Sequence, residues 1–205
     1  MDKIDFKKTL KPLYNPPATE FVLVEVPEMQ FVKVDGEGDP NTAPAYRSAI
    51  EWLYATSYAM KFAAKTQFGR DYVVPPLEGL WWADDPKSFV SRKKEQWCWT
   101  MMILVPDFVT RDLFDDAVAK TRKKLSHSPQ GLRLESYAEG LSLQILHLGS
   151  YDDEGPALSR LHNEVMPGGG LTFNGPHHEI YLSDPRKTEP SKLKTILRQP
   201  VKPIR

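Results

Sequence analysis

Glu78 and Glu179 are the side chains whose type and setting best suit acid–base chemistry. Glu78 lies in Val74-Pro-Pro-Leu-Glu-Gly-Leu-Trp-Trp82, and Glu179 in Gly175-Pro-His-His-Glu-Ile-Tyr-Leu182. Each follows a Pro and has Trp or Tyr close by. A lone glutamate in a strand is ordinarily solvated. Aromatic walls change this, because desolvation raises a carboxylic acid toward the pKa range of a general acid. The same setting also suits a lipophilic cation, with the carboxylate as counter-ion and the ring faces giving cation–π contact. Sequence alone leaves both open. Tyr151 in Tyr151-Asp-Asp-Glu154 is a third candidate, as a hydrogen-bond donor, while the acids after it read as helix-capping charges.

Aromatic usage supports a ligand surface. Four of the five Trp fall in two clusters, Trp81-Trp82 and Trp97-Cys98-Trp99. Large aromatics fill cores. Neighbours on a strand point to opposite faces, however, so Trp81 and Trp82 share the core only if both sheet faces are covered. One of the pair is expected to line something else. Trp81, Trp82, Trp97, Trp99, Tyr181 and His178 form the expected ligand-binding set.

Other chemistries find little support. Adjacent strand residues diverge, so His177-His178-Glu179 fits no standard zinc motif, and no metal site is expected. Gly36-Glu-Gly38 and Gly168-Gly-Gly170 lack the spacing and the Lys-Ser/Thr of a phosphate loop. There is no nucleophile elbow, triad or Cys/His pair. Cys98, between two Trp, reads as buried. No cofactor is expected.

The elements that must position these residues occur twice. Met29 to Pro40 and Leu143 to Pro156 both read as strand then Gly/acid/Pro turn; each leads to a helix and then to a glutamate-bearing strand. Gly36 matches Gly149, and Glu78 matches Glu179. This predicts a pseudo-two-fold domain with a cleft between halves and the two glutamates facing each other.

The pattern predicts strands over 21–26, closed by Pro27, and 29–34. Asn41 or Thr42 caps a long helix over 45–66, whose stripe is Tyr46, Ala49, Ile50, Leu53 and Tyr54. Strands follow over 72–74 and 77–83, a loop over 84–94, and a strand over 96–105. A helix over 107–125 has Thr110 as its cap, and Lys120 to Lys124 complement its dipole. Strands over 133–137 and 141–148 are joined by an Ala138-Glu-Gly140 hairpin. A second helix starts at Gly155-Pro156 and stops at Pro167-Gly168. The strand over 179–182 is followed by a tail, Pro190 to Pro200, read as a short capped helix with an extended basic end. Residues 1–20 form an N-terminal arm. Residues 21–205 form a single α/β (α+β) domain, with repeats at about 21–105 and 106–186 plus the tail.

Composition sets the outer limits. Lys plus Arg and Asp plus Glu are 27 each, giving no net charge, which argues against nucleic-acid binding. No apolar run approaches the roughly 20 residues of a membrane span, and no secretory h-region is visible. The single cysteine excludes an internal disulfide and fits a cytoplasmic protein.

Leu146-His-Leu-Gly-Ser-Tyr-Asp-Asp-Glu-Gly-Pro156, His178-Glu-Ile-Tyr-Leu-Ser-Asp-Pro-Arg186 and Lys192-Leu-Lys-Thr-Ile-Leu-Arg-Gln-Pro200 resemble the stand-alone GyrI-like small-molecule-binding proteins. The likeness runs from about Phe21 to Pro200. It implies two strand-helix-strand-strand (SHS2) modules side by side with a central ligand groove. Relatives of this kind serve as effector domains of multidrug-responsive transcription regulators, where a glutamate in a final Glu-x-Tyr pattern contacts cationic drugs; here that is Glu179. One stand-alone branch, the cyclopropanoid cyclopropyl hydrolases, adds water to the strained ring of DNA-alkylating toxins. The arm of about 20 residues is too short for a DNA-binding helix-turn-helix, so the regulator reading loses its output module. The expected partner is thus a flat, largely apolar small molecule, either hydrolysed, with Glu78, Glu179 and Tyr151 catalytic, or simply sequestered. Use of the groove or the basic tail by a protein partner is a third reading.

Overall fold

The computed structural model describes residues 3–84 and 93–204. Most of the loop expected over 84–94 lies outside the described residues. In chain order the elements are β1 (Lys3–Ile4), α1 (Phe6–Thr9), α2 (Lys11–Tyr14), β2 (Val22–Glu37), α3 (Pro44–Phe68), β3 (Asp71–Tyr72), β4 (Leu77–Trp82), β5 (Cys98–Val105), α4 (Arg111–Arg122) and β6 (Arg133–Leu148). Then come α5 (Gly155–Arg160), a π-helical turn Leu161–Val165, α6 (Met166–Gly168), β7 (Leu171–Phe173), β8 (His177–Tyr181) and β9 (Lys194–Pro203). The chain divides into two compact units, Met1–Thr9 with Met29–Tyr137, and Leu10–Glu28 with Ala138–Arg205.

In the first unit β5 is central, antiparallel to β2 (Val34 opposite Met101) and to β4 (Leu80 opposite Thr100). Met101, Met102, Ile103 and Leu104 of β5 are all buried, so both of its faces are covered. That explains its near-continuous apolar run. Helix α3 packs on β5 and α4 through a buried stripe that includes Trp52, Leu53 and Met60. Its first residue is Pro44; the cap position is Ala43, with no side-chain cap, because Asn41 instead closes a turn with the Asp39 carboxylate at 2.9 Å. Gly69 ends it at φ 63°, in the left-handed conformation favoured by glycine. Helix α4 starts four residues later than expected, where the Thr110 hydroxyl accepts the Leu113 N–H at 3.3 Å.

The second unit repeats the order. Here β9 is central, antiparallel to β6 (Ile145 opposite Leu197) and to β8 (Ile180 opposite Ile196), with β7 pairing its far end. Leu143, Leu161, Met166 and Val201 form the core beneath its helix. The fold is therefore α/β, built from two strand–helix–strand–strand modules whose last strand is central.

Three expectations are corrected. Pro27 does not divide two strands: β2 runs through it. Proline lacks an N–H, but Pro27 is exposed and its φ is compatible with a strand. Ala138-Glu-Gly140 does not form a hairpin: Gly140 adopts φ 74° and β6 continues. The tail is not a helix: a 3-10 turn Pro190–Lys192 leads into β9, the central strand of its unit.

The duplicated glutamates are not register equivalents either. Gly36 pairs with Trp99 and Glu78 with Met102, three residues apart along β5. The Gly149 N–H donates to Leu193 and Glu179 pairs with Leu197, four residues apart. One residue of slip exchanges the faces of a strand. Glu78 is enclosed, with no exposed surface, on a strand buried on both faces as far as Trp81, whereas Glu179 keeps a partly open side chain.

Candidate functional site

The side chains that could do chemistry in the second unit lie on one face of β8. Alternation puts His177, Glu179 and Tyr181 on that face, each partly exposed, and buries His178 and Ile180 on the other. The Tyr181 hydroxyl donates to Glu179 Oε2 at 2.7 Å, and His177 Nε2 lies 3.5 Å from Oε1. Tyr151, exposed in the 3-10 turn Tyr151–Asp153, packs its ring edge-on to Tyr181, centroids 5.7 Å apart.

Glu154 completes this cluster. It follows the 3-10 turn, is 5% exposed, makes no side-chain cap to α5, and lies next to Glu179, while its buried Oε1 has no hydrogen-bond partner among the described residues. Burial, followed by the charges of Glu179 and Asp152, pushes its carboxyl up to about 10. Two carboxyl groups in contact cannot both ionise cheaply, so the pair holds a proton at neutral pH. Such a pair offers a donor and an acceptor side by side. His162, in the π-helical turn, packs against Phe173 at 5.0 Å; burial and the neighbouring His177 lower its pKa, which favours the neutral imidazole. Local π-helical turns often mark functional sites.

His178, expected among the ligand contacts, points away from this face. Its Nδ1 donates to Glu139 Oε1 at 2.8 Å, and Arg198 Nη1 donates to Glu139 Oε2 at 3.2 Å. Arg198 also donates to Gln144 Oε1 at 3.0 Å and to the Leu13 carbonyl at 2.7 Å, which ties α2 into this unit.

The first unit holds the tryptophans. Trp81 and Trp99 face each other across β4 and β5, and Tyr46 packs on both, at 6.0 and 5.2 Å. Trp97 meets Trp81 edge-on at 6.0 Å. Trp99 lies against Gly36, where an added Cβ would fall 2.2 Å from the indole, so the close approach requires glycine. Trp99 and Trp81 are buried, Trp97 is half-buried, and Trp82 is the exposed member, as the strand alternation demanded. Glu78 is buried on the same strand, opposite Met102. Cys98 is only partly buried, contrary to expectation, because it lines an open pocket of about 300 Å³ with Glu37, Asp84 and Glu95. Among the described residues, no group of three or more His, Cys, Asp or Glu is arranged to hold a metal.

A family model, the GyrI-like small molecule binding domain, matches residues 19–202. The chain belongs to this family. The GyrI-like chain is similar to a solved structure of an uncharacterized conserved protein from Listeria innocua, with 39% identity, TM-score 0.88 and coverage of 98% of this chain and 100% of that one. It is also similar to a structure described as a hydrolase from Listeria innocua, with 38% identity, TM-score 0.84 and the same coverage. The C-terminal domain of EcmrR shares the fold at 14% identity and TM-score 0.57, over 90% of this chain and 98% of that one. No match was found among curated proteins. The GyrI-like assignment makes this a small-molecule-binding protein, and no described helix is long and apolar enough to cross a membrane.

Sequence reasoning selected Glu179, Tyr151 and Tyr181, which the structure brings together. It did not single out Glu154 or His177, which lie beside Glu179. Glu154 follows two other acids ahead of a Gly-Pro helix start, and nothing local marks it as the buried one.

Proposed function

We propose that this protein binds flat aromatic small molecules and hydrolyses those carrying a cyclopropane conjugated to a carbonyl, the reactive unit of certain DNA-alkylating toxins. The observation that carries this reading is the buried Glu154 carboxyl beside Glu179, kept protonated by burial and by the neighbouring charge. Similarity to a protein described as a hydrolase supports it.

In the proposed step, Glu179 accepts a proton from water. The water oxygen bonds to the ring methylene as the strained carbon–carbon bond breaks. That bond's electron pair passes into the conjugated system, whose oxygen takes the Glu154 proton. Transfer between the carboxyls restores the starting state, and the product has gained one water. Each well-placed proton-transfer group is worth roughly 10²–10⁴-fold, and ring strain supplies much of the remaining drive. Tyr181 orients Glu179, and Tyr151 offers a ring edge and a hydroxyl to the substrate. Within the first unit, Trp82 and Trp97 are proposed as an aromatic binding surface of its own, backed by Trp81 and Trp99.

A second reading is binding without turnover. Glu179, bonded by Tyr181 whose ring packs against Tyr151, also suits a lipophilic cation. Incubation with a cyclopropane-bearing spirodienone in heavy-oxygen water separates the two readings. Hydrolysis gives a product one water heavier that carries the label. Glu179→Gln and Glu154→Gln should each lower the rate about 100-fold or more with the fold intact. Unchanged substrate beside tight binding would leave only sequestration. Wild-type rates in both variants would remove the pair from the mechanism.

A further inference from the structure

Helix α3 carries aromatic side chains on its outer face. Tyr58 and Phe62, on one face of the helix, are 47% and 55% exposed, two of the nine exposed large apolar side chains among the described residues. One helical turn apart, they stack with ring centroids 6.3 Å apart. Isolated exposed apolar residues are ordinary, whereas adjoining ones make an exposed apolar row of the kind that interaction surfaces use.

Beside this row runs an open groove of about 280 Å³ between α3 and α4. Ala59, Ala63 and Ala117 line it, Phe62 stands at its wall, and Asp116 and Lys120 lie along the α4 side. An apolar cavity of about 150 Å³ accommodates a benzene ring, so this groove has room for a phenylalanine side chain.

The face therefore holds an aromatic knob, an alanine-lined hole, and an acid and a base four residues apart on one helix. A two-fold axis across such a face brings each knob to the other copy's hole and Asp116 to the other copy's Lys120. A closed dimer needs this kind of self-complementarity. An unrelated partner would have to supply both a knob and a hole, with charges in the reverse order; a second copy supplies them from the same residues.

We propose that this protein forms a two-fold dimer through the α3–α4 face, with Phe62 of each copy seated in the alanine-lined groove of the other. The proposal is independent of the chemistry at Glu154 and Glu179. Sedimentation velocity of the full chain, from about 1 to about 100 μM, tests it across the ordinary range of homodimer affinities. The wild type should be dimeric in the upper part of that range. Phe62→Glu should weaken association at least tenfold, and its circular dichroism should be unchanged because the side chain is exposed. Ala63→Trp, which fills the groove and leaves the knob, should do the same. Asp116→Lys alone should weaken the dimer several-fold, and adding Lys120→Asp should restore it. A wild type that stays monomeric throughout, or a dimer untouched by both Phe62→Glu and Ala63→Trp, overturns the proposal.

Discussion

A carboxyl held as the acid at neutral pH works against stability, and Glu154 is such a group. In an unfolded chain it ionises near pH 4.3. In the fold, burial and the neighbouring Glu179 keep it protonated up to about 10. Its contribution is thus fully present below about pH 4 and is lost progressively as pH rises toward 10, because the unfolded state releases a proton that the folded state retains. Glu154→Gln keeps the shape and the amide hydrogen bonds and removes this slope. The variant should melt higher than wild type at pH 8 and equally at pH 4, each 1 kcal/mol appearing as roughly 2–4 °C for a chain of this size. Melting curves across that range check it, and equal melting at both pH values would show that the proton is not retained. Glu179 could be read from the sequence because a tyrosine two residues on shares its strand face. Glu154 could not, since its burial is set by packing around the turn and not by its neighbours in sequence.

The elements that sequence reading placed well have one clear period or a strong cap. The 3.6-residue period of α3 holds, although its buried face centres on Trp52 and Leu53 and leaves Tyr46, Ile50 and Tyr54 half-buried, and Thr110 caps α4 as expected. It went astray where tertiary context overrides a local breaker, at Pro27 and Gly140, or where burial on both faces erases alternation. Residues Thr195 to Val201 of β9 are all buried, so their polar members break the alternation that would mark a strand, and the tail reads as a short capped helix with an extended basic end. Arg198 lies in a low-dielectric interior and depends on Glu139 for its charge partner. Burial pushes the Glu139 carboxyl upward, yet His178 and Arg198 outweigh it and hold the group below its usual value. A lowered acid contributes stability above its unfolded pKa and loses it as pH falls through the folded one. Glu139→Gln leaves a buried guanidinium without a counter-ion, which typically costs about 3–5 kcal/mol. Urea titration at pH 7 should show a loss of that order, with the deficit shrinking toward acid pH. A loss under about 1 kcal/mol would mean that water reaches Arg198.

At the scale of the whole molecule, charge decides which large partners are accessible. Acidic and basic residues balance at 27 each, and the five histidines add little near neutrality. Even the basic stretch before β9 is locally compensated: Arg186 and Lys187 lie against Asp184 at 2.9 and 4.0 Å, and Lys192 against Glu189 at 2.7 Å. Non-specific affinity for DNA comes from cations that release condensed counter-ions, so cations already neutralised by carboxylates contribute little to it. The likeness to the EcmrR C-terminal domain concerns the fold, and no basic surface follows from it. A labelled duplex titrated with the full chain at physiological salt should therefore show no anisotropy change below about 100 μM, the weak end of non-specific binding. Micromolar binding that collapses steeply between low and high salt would show instead that the balanced total conceals a segregated basic face. Weak binding insensitive to salt would point to contacts other than phosphate, and would equally count against a charge-based exclusion.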